Sequence, residues 1–422
     1  MPLKVGIIGA GIGGLSAAIA LRSAGAEVEL FESSSFKNEI GAAITITPNG
    51  SRILHSWGFD GQRAGMVEAK NVRMVDAKSL KTEFREDFED ITTRYGAQIA
   101  FYHRVDLHNA LKQMAEGSDT QPGVPASIKL GNGAIAIDCK SGIITLADGT
   151  TTQKDLVVIA DGIKSQLVGQ ITGKDEPIKE MPWSAYRCLI PMEDILADEK
   201  LQSIFESEKP GFWAPFHLPT AFYLIAYPCR DNKILNIALR HTTQPKDRNK
   251  KDWNSPASVE DVLELLKDHH PLLSEIMKKA TDIKIYKLLR REPLRRYANG
   301  RAVVIGDAAH TILPTHAQGA VMAIEEAAAL ELLFQDVSDA TQVPSRLELF
   351  SKLMKPRIHI TQHLSDSIPG TRDEYRQMAE ELCGEELFPC TAMNFTAPVQ
   401  DFFYSYDVRN EITKGMQEAG ML

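Results

Sequence analysis

An α/β fold, with a parallel-sheet domain interrupted by an inserted sheet, is predicted by three observations on this 422-residue chain. An apolar run over residues 3–8 leads into Gly9-Ala10-Gly11-Ile12-Gly13-Gly14 and then a helix-like segment over 15–24. Two further continuous apolar runs, 156–160 and 301–305, suit strands buried on both faces. Between them, 181–240 changes character, with strand-like pieces at 184–190, 222–227 and 234–239 and with Trp183 and Trp213 in the stretch and Trp253 beyond it.

The first βαβ unit carries the most specific signal. Gly25 stops the first helix, and a second strand over 27–31 ends at Glu32. Gly9 permits a tight turn, Gly11 lets a pyrophosphate approach the backbone, and Gly14 lets helix and strand pack closely. The helix N-terminus then offers free N–H groups and the positive end of its dipole to the phosphates. Glu32, 18 residues after Gly14, can accept hydrogen bonds from a ribose 2′-hydroxyl and would repel a 2′-phosphate. The unit predicts a dinucleotide site and leaves NAD and FAD both open. Farther on, a helix is expected over 49–57, strand-like pieces within 70–100, a helix over 104–115 and a meander over 126–150 with Asp148-Gly149 as a turn. Helices are expected over 258–280, 320–334 and 345–385.

Composition narrows the function classes. Lys+Arg total 47 and Asp+Glu 56, a formal charge of −9, so the chain has no overall attraction for nucleic acid or an anionic membrane. The densest basic stretch, Lys246 to Lys251, is broken by Asp247 and reads as a solvated loop. Five cysteines without a Cys-x-x-Cys pair suggest reduced thiols rather than a disulfide framework or zinc site. No apolar run approaches the ~20 residues of a membrane helix, and a cytoplasmic protein is expected.

Two segments resemble the flavin-dependent aromatic hydroxylases, the single-component class A FAD monooxygenases, with salicylate hydroxylase and fungal phenol and alkaloid hydroxylases as the nearest patterns. Asp155 to Ser165, containing Asp161-Gly162, resembles the family's Asp-Gly fingerprint, which touches FAD and the nicotinamide cofactor. Arg301 to Pro314, containing Gly306-Asp307, resembles its Gly-Asp fingerprint, in which the Asp holds the ribityl chain; Gln318-Gly319-Ala320 then opens a helix toward the flavin ring. Tyr102 to His108 resembles the segment whose Arg, here Arg104, contacts the FAD diphosphate, and Gly41-Ala42-Ala43 resembles the segment passing beside the flavin. The sequence departs from the pattern at Ile159, at Val168 and at His316-Ala317, which stands where many relatives are glycine-rich.

The resemblance implies a FAD-binding Rossmann-like domain of glutathione-reductase type, with an inserted β-sheet-plus-helix substrate domain and C-terminal helices. The segments expected are 1–175 and 285–370 for the FAD domain, 176–284 for the sheet domain and 371–422 for a helical tail. It further implies bound FAD, NADPH or NADH as a transient co-substrate, molecular oxygen, and hydroxylation of a phenol-like aromatic through a flavin hydroperoxide. Arg187, in Ser184-Ala185-Tyr186-Arg187, is the leading catalytic candidate, able to stabilise a phenolate or carboxylate. Tyr223 and Tyr227 share one strand face and can hydrogen-bond substrate; His217 is a weaker candidate. Two other activities remain open on the same fold: epoxidation or oxidative rearrangement of an indole or other non-phenolic substrate, and flavin dehydrogenation without productive use of oxygen.

Overall fold

The computed structural model describes residues 1–36, 42–117, 122–205, 209–248, 254–366, 380–381 and 395–422. Gly41, Trp253, Cys383, Cys390 and most of the helical stretch expected after residue 366 lie outside the described residues.

The glycine-rich unit folds as its sequence pattern dictates. Strand Lys4–Ile8 pairs in parallel with Glu27–Glu32 on one side and Leu156–Ile159 on the other. The six-stranded sheet runs Ala298–Asn299, Ala302–Val304, Leu156–Ile159, Lys4–Ile8, Glu27–Glu32, Ser127–Leu130, parallel except at its first, antiparallel edge strand. Both long apolar runs are therefore central strands, buried on both faces. Helix Ile12–Ser23 is lined with buried Ala17, Ala18 and Ala20 and lies against helix Gly319–Phe334, where a Cβ on Gly13 would come within 3.3 Å of Ala323 Cβ. Three loops leave the carboxyl ends of adjacent parallel strands: Gly9–Gly11, Ala160–Gly162 and Gly306–Asp307. Segments some 150 residues apart in sequence thus converge where open parallel sheets bind ligands.

The second layer is an eight-stranded sheet in the order Asn254–Ala257, Ile283–Arg291, Ile178–Pro191, Ile234–Thr242, Phe222–Cys229, Gly211–His217, Asn71–Asp76, Thr82–Asp87. Its strands do not come only from 176–284. Asn71–Asp76 joins it through a parallel pairing with Gly211–His217, and Ile283–Arg291 continues past residue 284. The reason is edge pairing: the hairpin 71–87 has no partner in the parallel sheet and satisfies its backbone groups on the exposed edge of the inserted one. The apolar face of this sheet packs on helices Val259–Leu266 and Pro271–Met277.

Helix Val343–Asp366 and the C-terminal helices Ala397–Tyr404 and Val408–Glu418 close the parallel-sheet layer. Arg52 clamps the tail by donating to the carbonyls of Tyr404 (2.6 Å) and Tyr406 (2.7 Å). The Arg357 guanidinium lies 4.1 Å from the Tyr406 ring centroid and forms a fork with buried Glu325 at 3.0 and 3.2 Å. The Tyr404–Tyr406 segment therefore serves as a structural closure. Among the described residues no helix is long and apolar enough to cross a membrane. Cys139, Cys188 and Cys229 are buried free thiols.

Candidate active site

A cavity of about 380 Å³, bounded by described residues, lies between the two sheets. At one end are Gly11, Ile12, Gly13, Arg104 and Gly162; at the other is a floor supplied by the eight-stranded sheet. Of the positions singled out from sequence, Gly11, Ala42, Ala43, Arg104, Arg187, Tyr223, Tyr227, Asp307, Pro314, Gly319 and Ala320 line it.

Gly9, Gly14, Glu32 and Asp161 work just behind that wall. Gly9 sits at φ +95°, and a Cβ there would be 2.5 Å from the Ala160 carbonyl oxygen. A Cβ on Gly14 would be 2.0 Å from the Gly9 carbonyl oxygen. Both are glycine for protein packing. Gly11 differs: a Cβ there would meet no protein atom within 4 Å, so the space in front of it is free for a ligand. Gly11→Ala is expected to leave stability of the FAD-free protein unchanged while weakening FAD binding about tenfold, since an added methyl costs ~1–3 kcal/mol where space is taken. Thermal melts and FAD titration read the two effects separately. Glu32 fixes the loop by accepting from Ala10 N–H (2.8 Å) and Ser34 N–H (2.7 Å).

Asp161 is enclosed, and its Oδ1 has no hydrogen-bond partner among the described residues. Burial pushes its carboxyl up to about 6, against a smaller pull from Ser165 and Arg291. An unfolded Asp titrates near ~3.9. Between these values the folded form holds the extra proton, so stability falls as pH rises through this window and stays lowered above it. Asp161→Asn is expected to stabilise the FAD-free protein at pH 8 by at most about 3 kcal/mol and to have little effect at pH 4, measured by denaturant titration. Arg291, which the sequence reading did not single out, holds the same loop through the carbonyls of Ile163 and Ser165, both at 3.3 Å.

Asp307 faces the cavity openly yet is enclosed by protein on its other sides, and burial raises its carboxyl above the usual range. Among the described residues its carboxylate has no hydrogen-bond partner. Its backbone is set by a pair that sequence reasoning missed: Glu326 accepts from Gly306 N–H at 2.7 Å and pairs with His310 Nε2 at 2.8 Å, both side chains fully buried. Glu326 was absorbed into the helical composition of 320–334. The helix also carries Glu325 and Glu331, so nothing in its sequence separated Glu326 from them. Helix Gly319–Phe334 starts without a side-chain cap, so its first N–H groups at Gly319 and Ala320 open toward the cavity. The preceding Ala317 sits at φ +55°, a left-handed conformation that favours glycine, which accounts for the glycine-rich pattern expected there. His316 turns away from the cavity, its ring 5.3 Å from that of Phe403.

The floor follows from strand register. Arg187 lies opposite Ala238, and Ala185 opposite Arg240. On the next strand, Tyr223, Ile225 and Tyr227 lie opposite Arg240, Ala238 and Asn236. By the period of two, all of these face one side, and all line the cavity. Arg187 makes no ion pair among the described residues. Its guanidinium lies 5.0 Å from the Tyr286 ring centroid, and its Nε is buried without a partner. Burial pulls it below its ordinary value, and the Arg104 charge adds to this. Tyr227 is more constrained than the sequence reading implied: its hydroxyl is bonded to Thr45 and its ring packs 4.6 Å from Phe101. It positions the wall. Tyr223 makes no hydrogen bond among the described residues. Burial pushes both phenols up to about 12, so both are neutral donors at physiological pH. Asn236 ties the floor to the cofactor side by accepting from Ala43 N–H at 3.1 Å. His217 is not part of the site; it pairs with Thr220 Oγ1 at 2.9 Å.

These residues fit FAD. An open groove before Gly11, the Arg104 guanidinium and the Asp307 carboxylate, neither paired among the described residues, and uncapped helix N–H groups at Gly319 all border this one cavity. They match, in turn, a dinucleotide backbone, its diphosphate, a polyol and the electron-rich edge of a reduced ring. Residues 2–361 match the FAD binding domain family. The chain is 36% identical over 372 residues to the FAD-dependent monooxygenase cfoG of Aspergillus candidus, covering 86% of this chain and 85% of that one. It is 31% identical to hispidin-3-hydroxylase of Neonothopanus nambi, covering 84% and 86%. Among solved structures, CtdE in complex with FAD and substrate superposes with a TM-score of 0.82 at 20% identity, over 99% of both chains. A salicylate hydroxylase substrate complex superposes with 0.76 at 20% identity, over 98% of both. The chain belongs to the FAD-dependent monooxygenases, flavoprotein oxidoreductases built on the FAD binding domain.

Proposed function

We propose that this enzyme hydroxylates a phenol-like aromatic small molecule, using NADPH or NADH and molecular oxygen. The observation that carries this reading is Arg187, a half-buried arginine with an enclosed Nε and no ion pair among the described residues, on the cavity floor among aromatic and small side chains. The chemistry supplied by bound FAD is oxygen activation: substrate–H, O2, NAD(P)H and a proton give substrate–OH, NAD(P)⁺ and water.

The protein's part is to bind, orient and polarise. Ala185 and Ala238 leave a flat slot for a ring between Arg187 and Arg240. A cation at Arg187 stabilises the phenolate form of the substrate, which is the more nucleophilic one. Among the described residues lining the cavity, Asp307 is the only acid and there is no histidine, so none of them stands near the floor as a general base. The phenolic proton is therefore lost to solvent, with ionisation driven by the Arg187 field. Phe212, Ile225 and Leu288 exclude water around the reacting ring.

The test is NADPH- and NADH-driven oxygen uptake by the FAD-loaded protein, with a panel of phenols, phenolic acids and indoles and with catalase to register peroxide. Uptake stimulated by a phenol without matching peroxide release supports the reading. Hydride consumption indifferent to every aromatic, and sustained by another electron acceptor, would assign a dehydrogenase instead.

A further inference from the structure

Arg240 is a second guanidinium on the cavity floor, and the sequence reading did not single it out. Its face is used: it lies 5.2 Å from the ring centroid of Trp183. Its donor edge is not. Arg240 makes no hydrogen bond or ion pair among the described residues, and its Nε is buried without a partner. An arginine carries five N–H donors, and leaving them desolvated and unpaired is costly. Opposite it on the neighbouring strand is Tyr223, whose hydroxyl is likewise uncommitted among the described residues.

The two floor arginines occupy different electrical surroundings. Arg187 feels the charges of Arg104 and Asp307, on the cofactor side. Arg240 is set by burial, which lowers it, and among the described groups by Tyr223 opposite it. In register Arg240 is the diagonal neighbour of Arg187, two residues past its partner Ala238. Diagonal neighbours stand ~7–8 Å apart, a spacing that brackets one aromatic ring. Arg104, the glycine-rich loop and the helix at Gly319 account for the cofactor's negative charge, and none of them needs Arg240.

Resting on the hydroxylase reading above, we propose that Arg240, with Tyr223, receives a second oxyanion on the substrate, a carboxylate or an ionised hydroxyl, at the end of the ring away from Arg187. The substrate class is then an acidic aromatic with charge at both ends, and Arg240 sets specificity while Arg187 serves the reacting oxygen.

The experiment uses FAD-loaded protein and two matched pairs of probes at pH 8: 4-hydroxycinnamate against its methyl ester, and resorcinol against 3-methoxyphenol. Dissociation constants are read from the flavin absorbance change. The wild type is expected to bind the acidic member of at least one pair about tenfold or more tighter. Which pair shows the preference identifies carboxylate or hydroxyl. In Arg240→Gln that ratio is expected to fall to near one, through loss of the acidic ligand far more than of its neutral analogue, while Arg240→Lys keeps part of it and Arg187→Gln keeps the preference. FAD content of each variant confirms that it folds. No preference in either pair, or a preference unchanged in Arg240→Gln, overturns the proposal and leaves the hydroxylase reading standing. If none of the four probes perturbs the flavin or stimulates oxygen uptake, both fall together.

Discussion

Arg187→Gln is expected to lower kcat/KM for hydroxylation by about 10²–10³-fold, the usual cost of removing a preorganised oxyanion partner from an enclosed site. Gln keeps two N–H donors and much of the volume, so the loss reports charge rather than shape. Because Arg187 has no ion-pair partner among the described residues, the substitution strands no buried carboxylate. FAD content and thermal stability should therefore stay close to wild type. Arg187→Lys restores charge without the planar fork and should recover part of the rate. The pH dependence discriminates further. With no base among the described residues of the floor, the wild-type profile is expected to follow the ionisation of the bound phenol, and loss of Arg187 to move its rising limb to higher pH. A variant that loses rate only in proportion to lost FAD would show Arg187 to be structural.

Asp307→Ala is expected to weaken FAD binding by about 10²-fold, since hydrogen bonds to a charged group contribute ~1.5–3 kcal/mol and this carboxylate can accept more than one. The protein itself should gain rather than lose. Burial holds the Asp307 carboxyl above its usual range in the FAD-free state, so deleting it removes an unfavourable group. Fluorescence titration with FAD and thermal melts of FAD-free protein separate the two. Glu326→Gln acts on the same loop from behind. The amide keeps one oxygen for Gly306 N–H but turns an NH2 toward His310 Nε2 in place of the second oxygen and removes the charge, and should weaken both FAD binding and stability.

The cofactor half of the site was legible because its chemistry is local. The turn at Gly9–Gly14, the strand end at Asp307 and the helix start at Gly319 are each short segments whose residue types are dictated by backbone geometry, and the structure places them at adjacent strand ends. The floor was legible only in part. Arg187 was legible from the family resemblance and Tyr223 from strand alternation, but nothing in the run 234–242 marked Arg240 as a floor residue until register set it beside Ala185. The pairing of the hairpin 71–87 with the inserted sheet was not legible for the same reason: strand partners far apart in sequence leave no mark on either strand. Glu326 and Arg291 were invisible for another reason. Each acts on a backbone group of a different segment, Gly306 N–H and the Ile163 and Ser165 carbonyls, and no spacing rule encodes such a contact.

The central claim is that this cavity couples hydride consumption to transfer of one oxygen atom onto an aromatic ring. It is tested most directly by single-turnover reaction of the FAD-loaded, NADPH-reduced protein with ¹⁸O2 and the phenol that best stimulates uptake, followed by mass analysis of the product. One ¹⁸O atom in the hydroxylated ring per flavin reduced, falling sharply in Arg187→Gln, is the expected result. Unlabelled ring and stoichiometric labelled peroxide would contradict it.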